Sequence, residues 1–318
     1  MTDLQKKLCL LLGFCSSAFA AENTYDLKNL WTQQNREQRI ILQDFMQKLI
    51  DKTLKAEFEK FDDNRNETTK NPVLIHYDQT LDRLLKQIPE TKPVPGTVVI
   101  WYLYNLGFII KTPTTCFGVD IHHRRAELLE PYLDFLVVTH NHNDHYFMPL
   151  LRAMTATKKL VISNFFPNAG YTKAAEQTHQ INGITIHCGE ADHNSVLKKF
   201  TMPMEIICPT GDKKFVFFTS GDVCHHQFLN KKSESIDLSA VHPSCGMEAI
   251  EAAKRINAKL TFIAHLHEMG HEWNKWRWTF EDGRRQLNIF REQNKDAYLP
   301  VWGEKFIWDG SEILTNQK

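Results

Sequence analysis

Three histidines and one aspartate fall within six residues near the middle of this chain of 318 residues. They lie in the stretch LVVTHNHNDH and are His140, His142, Asp144 and His145. The apolar residues before them, 135–138, are typical of a buried strand that ends where the histidines begin. Imidazole and carboxylate groups bind zinc and other transition metals, and four packed this densely are costly unless they bind something. The stretch therefore predicts a metal site at the end of a strand.

Three further candidate ligands stand at or just after the ends of later predicted strands. They are His193, which follows residues 184–188, Asp222, at a sharp turn formed by Gly221, and His265, which closes residues 260–264. A lone histidine after a strand is more often a surface or core residue. Because three such residues follow the first cluster, each at or just after the end of a strand, the pattern nevertheless favours one metal site that they share with that cluster.

Five other histidines leave part of this assignment open. His267 and His271 lie near enough to His265 in the sequence to compete for its role, or to contact a substrate instead. In an extended strand His265 and His267 would point the same way, so periodicity does not choose between them. We favour His265 because it ends the apolar strand. Three more positions are ambiguous, with a surface location favoured for the first two: His225, His226 and His242.

The spacing of the first cluster matches an H-x-H-x-D-H signature, and from residue 97 to the C-terminus the chain resembles the metallo-β-lactamase superfamily. Residues 105–110 and the sequence Gly118-Val119-Asp120 resemble the opening strands and the structural aspartate of that family. The resemblance implies an α+β fold, a four-layer αβ/βα sandwich with the site at one edge. It does not cover the N-terminal region, which is predicted to be a helical extension.

The same resemblance implies a site for two divalent metal ions, with zinc expected and manganese or iron as alternatives. A shared water or hydroxide would lie between the ions, which lower its pKa and polarise the scissile group. Asp144 would also be a catalytic residue that accepts a proton from this water or orients it. The implied ligands are His140, His142 and His193 for one ion, Asp144, His145 and His265 for the other, and Asp222 as the bridge.

The aspartate at position 222 narrows the reactions that the resemblance implies. The true β-lactamases lack it, whereas lactonases, thioesterases, phosphodiesterases and RNA-processing nucleases of the family carry it. The di-iron oxidoreductases have a glutamate where this chain has His142, and no flavin-binding domain follows, which disfavours redox chemistry. The pattern is closest to the sugar-lactone hydrolases and the phospholipase-like enzymes that cleave N-acyl phosphatidylethanolamine.

These features predict a binuclear hydrolase that cleaves an ester, lactone or phosphodiester of a small molecule or lipid. One alternative is a nuclease of the same family. However, no RNA-binding insert is visible, and 38 basic residues balance 38 acidic ones, so no nucleic-acid partner is expected. The other alternative is a non-catalytic binding protein that keeps a metal for stability. A structural site has all its coordination positions filled by protein, whereas the implied set leaves room for water.

The first twenty residues resemble a secretory signal peptide. Lys6 and Lys7 precede an apolar run over residues 8–14, and Ala18-Phe19-Ala20 matches a cleavage site. The run is too short to span a bilayer, so no transmembrane segment is predicted. Cleavage would place the protein outside the cell or in the periplasm, and an uncleaved chain would be cytoplasmic. The odd number of cysteines, seven, gives no disulfide framework.

The elements that must position these residues fall into two regions. An N-terminal helical extension is predicted over residues 21–95, with an apolar stripe to about residue 70, a break at 62–67 and a short helix at 80–87. Prolines at 89, 93 and 95 mark its boundary with a hydrolase domain over residues 96–318. There, strands are predicted at 98–103, 108–110, 116–120, 135–138, 161–164, 184–188, 205–208, 214–219 and 260–264, and helices at 150–155 and 247–257.

Overall fold

A computed structural model describes residues 36–172, 176–243, 246–272 and 276–314 of the chain. The predicted signal peptide, residues 1–20, lies outside the described residues, as does the start of the predicted helical extension. Secretion therefore stays a prediction. Among the described helices, none combines the length and the apolar character that crossing a membrane requires.

Two seven-stranded sheets form the centre of the described part of the chain. The first has the order β14-β13-β1-β2-β3-β4-β5 and is antiparallel up to β3, after which β3, β4 and β5 run parallel. Its strands are β1 (Val98–Tyr102), β2 (Phe108–Lys111), β3 (Cys116–Val119), β4 (Phe135–Val137), β5 (Leu160–Ile162), β13 (Lys305–Trp308) and β14 (Ile313–Leu314).

The second sheet has the order β12-β11-β10-β9-β8-β7-β6. It is antiparallel from β6 to β9 and parallel from β9 to β12. Its strands are β6 (Thr178–Ile181), β7 (Ile184–Cys188), β8 (Met204–Thr210), β9 (Lys213–Thr219), β10 (Ile236–Val241), β11 (Ala258–Ile263) and β12 (Ala297–Tyr298).

The two sheets pack face to face through aromatic side chains. Phe108 on β2 lies 5.5 Å from Phe217 on β9 and 6.2 Å from Phe262 on β11, measured between ring centroids. All three rings are fully buried. Strands buried on both faces have near-continuous apolar runs rather than alternating ones, which is why β1, β3 and β4 could be predicted from sequence.

Helices cover the outer faces of both sheets. Helix α4 (Met148–Ala156) packs on β4 and β5, α5 (Ala249–Ile256) packs on β10 and β11, and α6 (Phe280–Glu292) packs on α5 and β12. The sequence of α5 buries Ala249, Ile250, Ala253 and Ile256 on one stripe, and the helix ends at Asn257 in a left-handed conformation with φ of 52°. These layers confirm the predicted α+β sandwich.

Three N-terminal helices pack on the same core: α1 (Arg36–Ile50), α2 (Lys55–Asp63) and α3 (Pro72–Glu90). The predicted break at 62–67 matches the end of α2, but the predicted short helix at 80–87 is only the middle of α3. Asn71 caps α3 by accepting the backbone N–H of Val73 at 3.0 Å, and Pro72 occupies its first turn. Pro89 lies in the last turn of α3, so it ends the helix later than the sequence suggested.

Buried arginines attach these helices to the sandwich. Arg39 on α1 forms an ion pair with Glu304, which precedes β13. Arg124, after β3, donates to the carbonyl oxygen of Phe61 at 2.9 Å and to that of Arg65 at 2.8 Å. Because a guanidinium group carries several donors in a rigid plane, each of these side chains satisfies several acceptors at once.

A buried ion pair beside α2 predicts a pH-dependent stability. Nε2 of His122 lies 2.9 Å from Oδ2 of Asp62. Burial favours the neutral imidazole, but Asp62 outweighs it and raises the pKa of His122 to about 9. The folded pKa exceeds the unfolded value of about 6.5, so this stabilisation is complete below about pH 6.5 and is lost as the pH rises through about 9.

We therefore expect the difference in unfolding free energy between the wild type and His122→Gln to shrink by roughly 3 kcal/mol between pH 6.5 and 9.5. Urea unfolding across this pH range measures it. The exposed His225 supplies a control, since His225→Gln should show no such trend. A difference for His122→Gln that stays constant with pH would contradict this account.

Candidate metal centre

The candidate ligands from the sequence meet at one edge of the sandwich. His140 and His142 follow β4, His193 follows β7, Asp222 follows β9 and His265 follows β11. Because β9, β10 and β11 are parallel, their C-terminal ends lie at the same edge of the second sheet. The structure thus brings together residues that are more than 120 positions apart in the chain.

The first group of candidate ligands consists of His140, His142, His193 and Asp222, whose ligand atoms all lie within 4.8 Å of one another. Nε2 of His140 lies 3.1 Å from Nδ1 of His142 and 3.7 Å from Oδ2 of Asp222. An ion bonded at about 2.1 Å to ligands in a tetrahedron holds adjacent ligand atoms about 3.4 Å apart. The observed separations match that spacing.

The second group consists of Asp144, His145 and His265, again within 4.8 Å of one another. Nε2 of His265 lies 3.2 Å from Nε2 of His145 and 3.0 Å from Oδ2 of Asp144. Asn105 donates to the same oxygen of Asp144 at 2.7 Å and thereby fixes the carboxylate. This group has the same short spacing between ligand atoms as the first.

Asp222 lies between the two groups. Its Oδ2 is 3.7 Å from His140 and 3.6 Å from His193, while its Oδ1 is 3.3 Å from Nε2 of His145. The turn that delivers it requires Gly221, which has a φ of 54° and where a Cβ would lie 2.7 Å from the side chain of Thr201. One carboxylate can therefore contact an ion in each group.

His242 belongs to this centre although the sequence left it ambiguous. It is buried, and its Nδ1 lies 2.8 Å from Oδ1 of Asp222. Its ring stacks on His265 with centroids 3.6 Å apart and an angle of 4° between the planes. Asp222, His242 and His265 form a third group with the spacing of metal ligands. The sequence analysis did not predict β10. His242 follows that strand just as Asp222 follows β9, so predicting β10 would have pointed to it.

Of the other ambiguous histidines, His271 lines the cleft beside this centre, and the remaining three lie outside it. His267 is buried against Phe280, and burial with the charge of Arg277 lowers its pKa to about 3. His225 is exposed and His226 partly exposed, and neither belongs to a candidate metal group among the described residues. The expectation that His265 and His267 point the same way does not apply, because β11 ends at Ile263 and both residues have a positive φ, 60° and 59°.

The ionisation of these side chains fits a divalent cation. Burial and the charge of His145 hold the pKa of His140 well below its usual value, and burial lowers that of His242 to about 4. Burial alone would raise the pKa of Asp222, but the charges of His242 and His145 hold it well below its usual range. The carboxylates of Asp222, Asp144 and Asp120 outweigh burial and raise the pKa of His145 well above its usual value, so a metal ion bound there would displace a proton. Because neutral imidazoles and ionised carboxylates are the forms that bind metal, this concentration of negative charge fits a divalent cation.

Asp120 supports the centre from behind. It is fully buried, accepts the backbone N–H and the hydroxyl of Thr139 at 2.7 Å each, and lies 3.0 Å from Nδ1 of His145. A carboxylate behind a histidine fixes its tautomer, here with the lone pair of Nε2 facing the site. The same Thr139 hydroxyl lies 3.0 Å from Nδ1 of His140, so Asp120 orients both histidines.

We expect Asp120→Asn to weaken metal binding about 10- to 100-fold, because the amide replaces one acceptor of the carboxylate with a donor. Competition with a chromogenic chelator measures the affinity. Asp134→Asn is the matched control, since Asp134 accepts the backbone N–H of Cys116 at the far end of β3 and belongs to no candidate metal group of the described residues. Unchanged affinity in Asp120→Asn would mean that the tautomer of His145 does not depend on this carboxylate.

A cleft of about 510 Å³ opens beside the metal centre. His142, Asn143 and Asp144 form one side of it, and Glu268, Gly270 and His271 contribute from the loop after β11. Helix α2 forms another wall through Lys55, Phe58, Glu59, Asp62 and Asp63. The N-terminal helices therefore contribute directly to the surface that a substrate would meet.

No protein-family model matches the chain, and no curated protein matches it either. Among solved structures it is similar to Igni18, a metallo hydrolase from the hyperthermophilic archaeon Ignicoccus hospitalis KIN4/I, at 16% identity and a TM-score of 0.52. That match covers 67% of this chain and 98% of Igni18.

Two further similar structures have TM-scores below 0.5. The diiron β-hydroxylase CmlA from Streptomyces venezuelae is 12% identical with a TM-score of 0.47, over 69% of this chain and 54% of that one. The metallo-β-lactamase fold protein YhfI from Bacillus subtilis is 14% identical with a TM-score of 0.46, over 67% of this chain and 98% of that one. With the two mixed sheets and the likeness to Igni18, the chain has the metallo-β-lactamase fold.

Proposed function

We propose that this chain is a binuclear metal-dependent hydrolase that cleaves an ester, lactone or phosphodiester of a small molecule. The position of Asp222 carries the proposal, because its carboxylate lies within 3.7 Å of imidazoles from both groups: Oδ2 near His140, His193 and His265, and Oδ1 near His145. Both groups border one cleft, through His142 in the first and Asp144 in the second. Zinc fits the histidine-rich donor set, and manganese or iron would also be accepted.

When bound, the two ions would lower the pKa of a shared water and polarise the carbonyl or phosphoryl oxygen under attack. Asp144 lines the cleft, and its fixed carboxylate would accept the proton that the attacking water loses. Asn105 keeps that carboxylate in place, and Asp222, held by His242, keeps the two ligand groups at a constant separation. These residues would thus orient the water and remove its proton.

The lining of the cleft favours a polar small molecule as substrate. Its volume lies within the range of roughly 300–1,000 Å³ that is usual for small-molecule sites. Phe58 is the one large apolar side chain among the described lining residues, which gives an acyl chain little surface to bury against. The lining also carries four carboxylates besides Asp144, which would repel a nucleic-acid backbone: Glu59, Asp62, Asp63 and Glu268.

An experiment can distinguish the proposed hydrolase from the alternative, a non-catalytic binding protein that keeps a metal for stability. A purely structural site is closed by protein ligands, whereas this centre borders an open cleft. The chain would be stripped of metal with a chelator, reloaded with Zn²⁺, Mn²⁺ or Fe²⁺, and tested against aryl esters, a lactone panel and bis(p-nitrophenyl) phosphate. We expect turnover of at least one ester, lactone or diester, only in the reloaded protein.

His193→Ala is the test variant for this assay and His225→Ala its control. His193 lies in the first ligand group, while His225 is exposed and outside every candidate metal group of the described residues. We expect His193→Ala to abolish turnover and His225→Ala to retain it. A protein that binds two ions tightly but hydrolyses none of these substrates would favour the binding-protein alternative.

A further inference from the structure

A buried glutamate that is not part of the metal centre lies beside the same cleft. Glu268 is 3% exposed, and its Oε1 accepts the backbone N–H of Gly270 at 2.7 Å. Its other oxygen, Oε2, lies 2.6 Å from Nδ1 of His271. A buried carboxylate needs a compensating partner, and here the nearest one is an imidazole.

His271 is placed to reach a substrate. Its side chain is 41% exposed and lines the cleft together with His142 and Asp144. Because Nδ1 lies 2.6 Å from the Glu268 carboxylate, the second ring nitrogen, Nε2, is the one available to a bound molecule. The polar contacts of the other Glu268 oxygen, Oε1, come from the backbone of Gly270 and from Tyr104, whose hydroxyl lies 3.4 Å away.

The loop that carries this pair is held rigidly. Arg277, which is 5% exposed, donates to the carbonyl oxygens of His271 at 2.6 Å and Met269 at 2.9 Å. The same guanidinium group donates to the carbonyl oxygens of Ile50 at 3.0 Å and Thr53 at 2.9 Å, after helix α1. The loop is therefore fixed against the N-terminal helices, as a residue that acts on substrate requires.

We propose that His271, oriented by Glu268, donates the proton that the leaving group needs in the hydrolysis proposed above, on which this inference rests. Water forms a bond to the carbonyl carbon or phosphorus, and its proton passes to the carboxylate of Asp144. The bond to the leaving oxygen then breaks, and that oxygen takes the proton from Nε2 of His271, whose N–H electron pair returns to the ring. Solvent then reprotonates His271 and takes the proton from Asp144, which restores both groups.

The charge around His271 supports this role. The contact with Glu268 raises its pKa above the ordinary histidine value, so that the imidazolium form persists nearer neutral pH. Asp144 and Asp222 act in the same direction from the metal centre. The other charged or titratable groups of the described residues that face the cleft or this loop are Lys55, Glu59, Asp62, Asp63, Tyr104, His122, His142 and Arg277.

The test compares two substrates of one class that differ in their leaving group. A p-nitrophenyl ester releases an oxygen that needs little protonation, whereas an alkyl ester or lactone releases an alkoxide that needs a proton. For reloaded His271→Gln, we expect kcat/KM to fall about 10²- to 10³-fold with the alkyl ester or lactone and to stay within about threefold with the aryl ester. His225→Gln should match the wild type with both substrates.

Glu268→Gln supplies a second, independent readout. Proton NMR of the His271 ring in the metal-stripped chain should show its pKa falling toward the ordinary value in Glu268→Gln. The alkaline limb of the alkyl-ester pH–rate profile should move to lower pH in the same variant. An equal loss for both leaving groups in His271→Gln, or no loss for either, would overturn the inference while the hydrolase proposal stands. No turnover by the reloaded wild type would overturn both.

Discussion

Asp222→Ala is expected to lower kcat/KM on the order of 10³-fold and to reduce the bound metal to one ion per chain or fewer. Asp222 is the carboxylate that contacts both ligand groups, so its loss removes a ligand from each. It also frees His242, which is held by that carboxylate at 2.8 Å. Loss of several kcal/mol of electrostatic stabilisation in the transition state corresponds to about this factor in rate.

Asp237→Ala is the matched control for this experiment. Asp237 is a buried aspartate on β10 that accepts the backbone N–H of Val216 at 2.8 Å and pairs with Lys259 at 2.7 Å. The same substitution there should cost stability but leave metal content unchanged. Metal analysis by mass spectrometry, run beside kcat/KM on the best substrate, separates the two cases. Full metal and activity in Asp222→Ala would rule out its bridging role.

The largest effect on stability is expected for Glu304→Ala, at about 3–5 kcal/mol. Glu304 pairs with the guanidinium group of Arg39, and both side chains are nearly fully buried. It also accepts the hydroxyl of Tyr298 at 2.9 Å and the backbone N–H of Val301 at 2.7 Å. Truncation leaves a buried charge and two buried donors without this acceptor.

Urea unfolding at constant metal concentration measures this effect. Glu281→Ala, at a side chain that is 77% exposed, should change the unfolding free energy by less than about 0.5 kcal/mol. A double replacement, Arg39→Met with Glu304→Leu, should be less destabilising than Glu304→Ala because no charge is then left unpaired. If Glu304→Ala proved as mild as Glu281→Ala, the attachment of α1 through this pair would be energetically unimportant.

The strands that sequence could predict have either an uninterrupted apolar run, such as β1, or a strict alternation of apolar and polar residues, such as β7, whose predicted bounds match the structure. Strand β10 was not predicted, although Asp237 and Ser239 alternate with apolar residues in it; all six of its residues are buried. Both are buried and paired, Asp237 with the backbone of Val216 and Ser239 with the hydroxyl of Thr261 at 2.9 Å. A single segment of sequence does not show which polar partners the neighbouring strands supply. Because β10 was not predicted, the role of His242, which follows it, was not predicted either.

The site residues that lie close together in the sequence were the easiest to predict. The first cluster lies within six residues, so one short stretch of sequence indicates its metal-binding chemistry. His193, Asp222 and His265 were predicted from their order in the chain and from the resemblance to a known family. The wall that α2 forms depends on packing between distant segments. Glu268 and His271 are only three residues apart, but they pair through a loop conformation that hydrophobic periodicity does not predict. Hydrophobic periodicity predicts helices and strands but carries no information on which of them meet.

The number of metal ions per chain is the most direct test of the account. The full-length protein would be stripped, reloaded with excess Zn²⁺, passed through a desalting column and analysed by inductively coupled plasma mass spectrometry against its amino-acid content. The two ligand groups that Asp222 joins predict two ions per chain. One ion or none, in protein that is folded by circular dichroism, would contradict the binuclear centre.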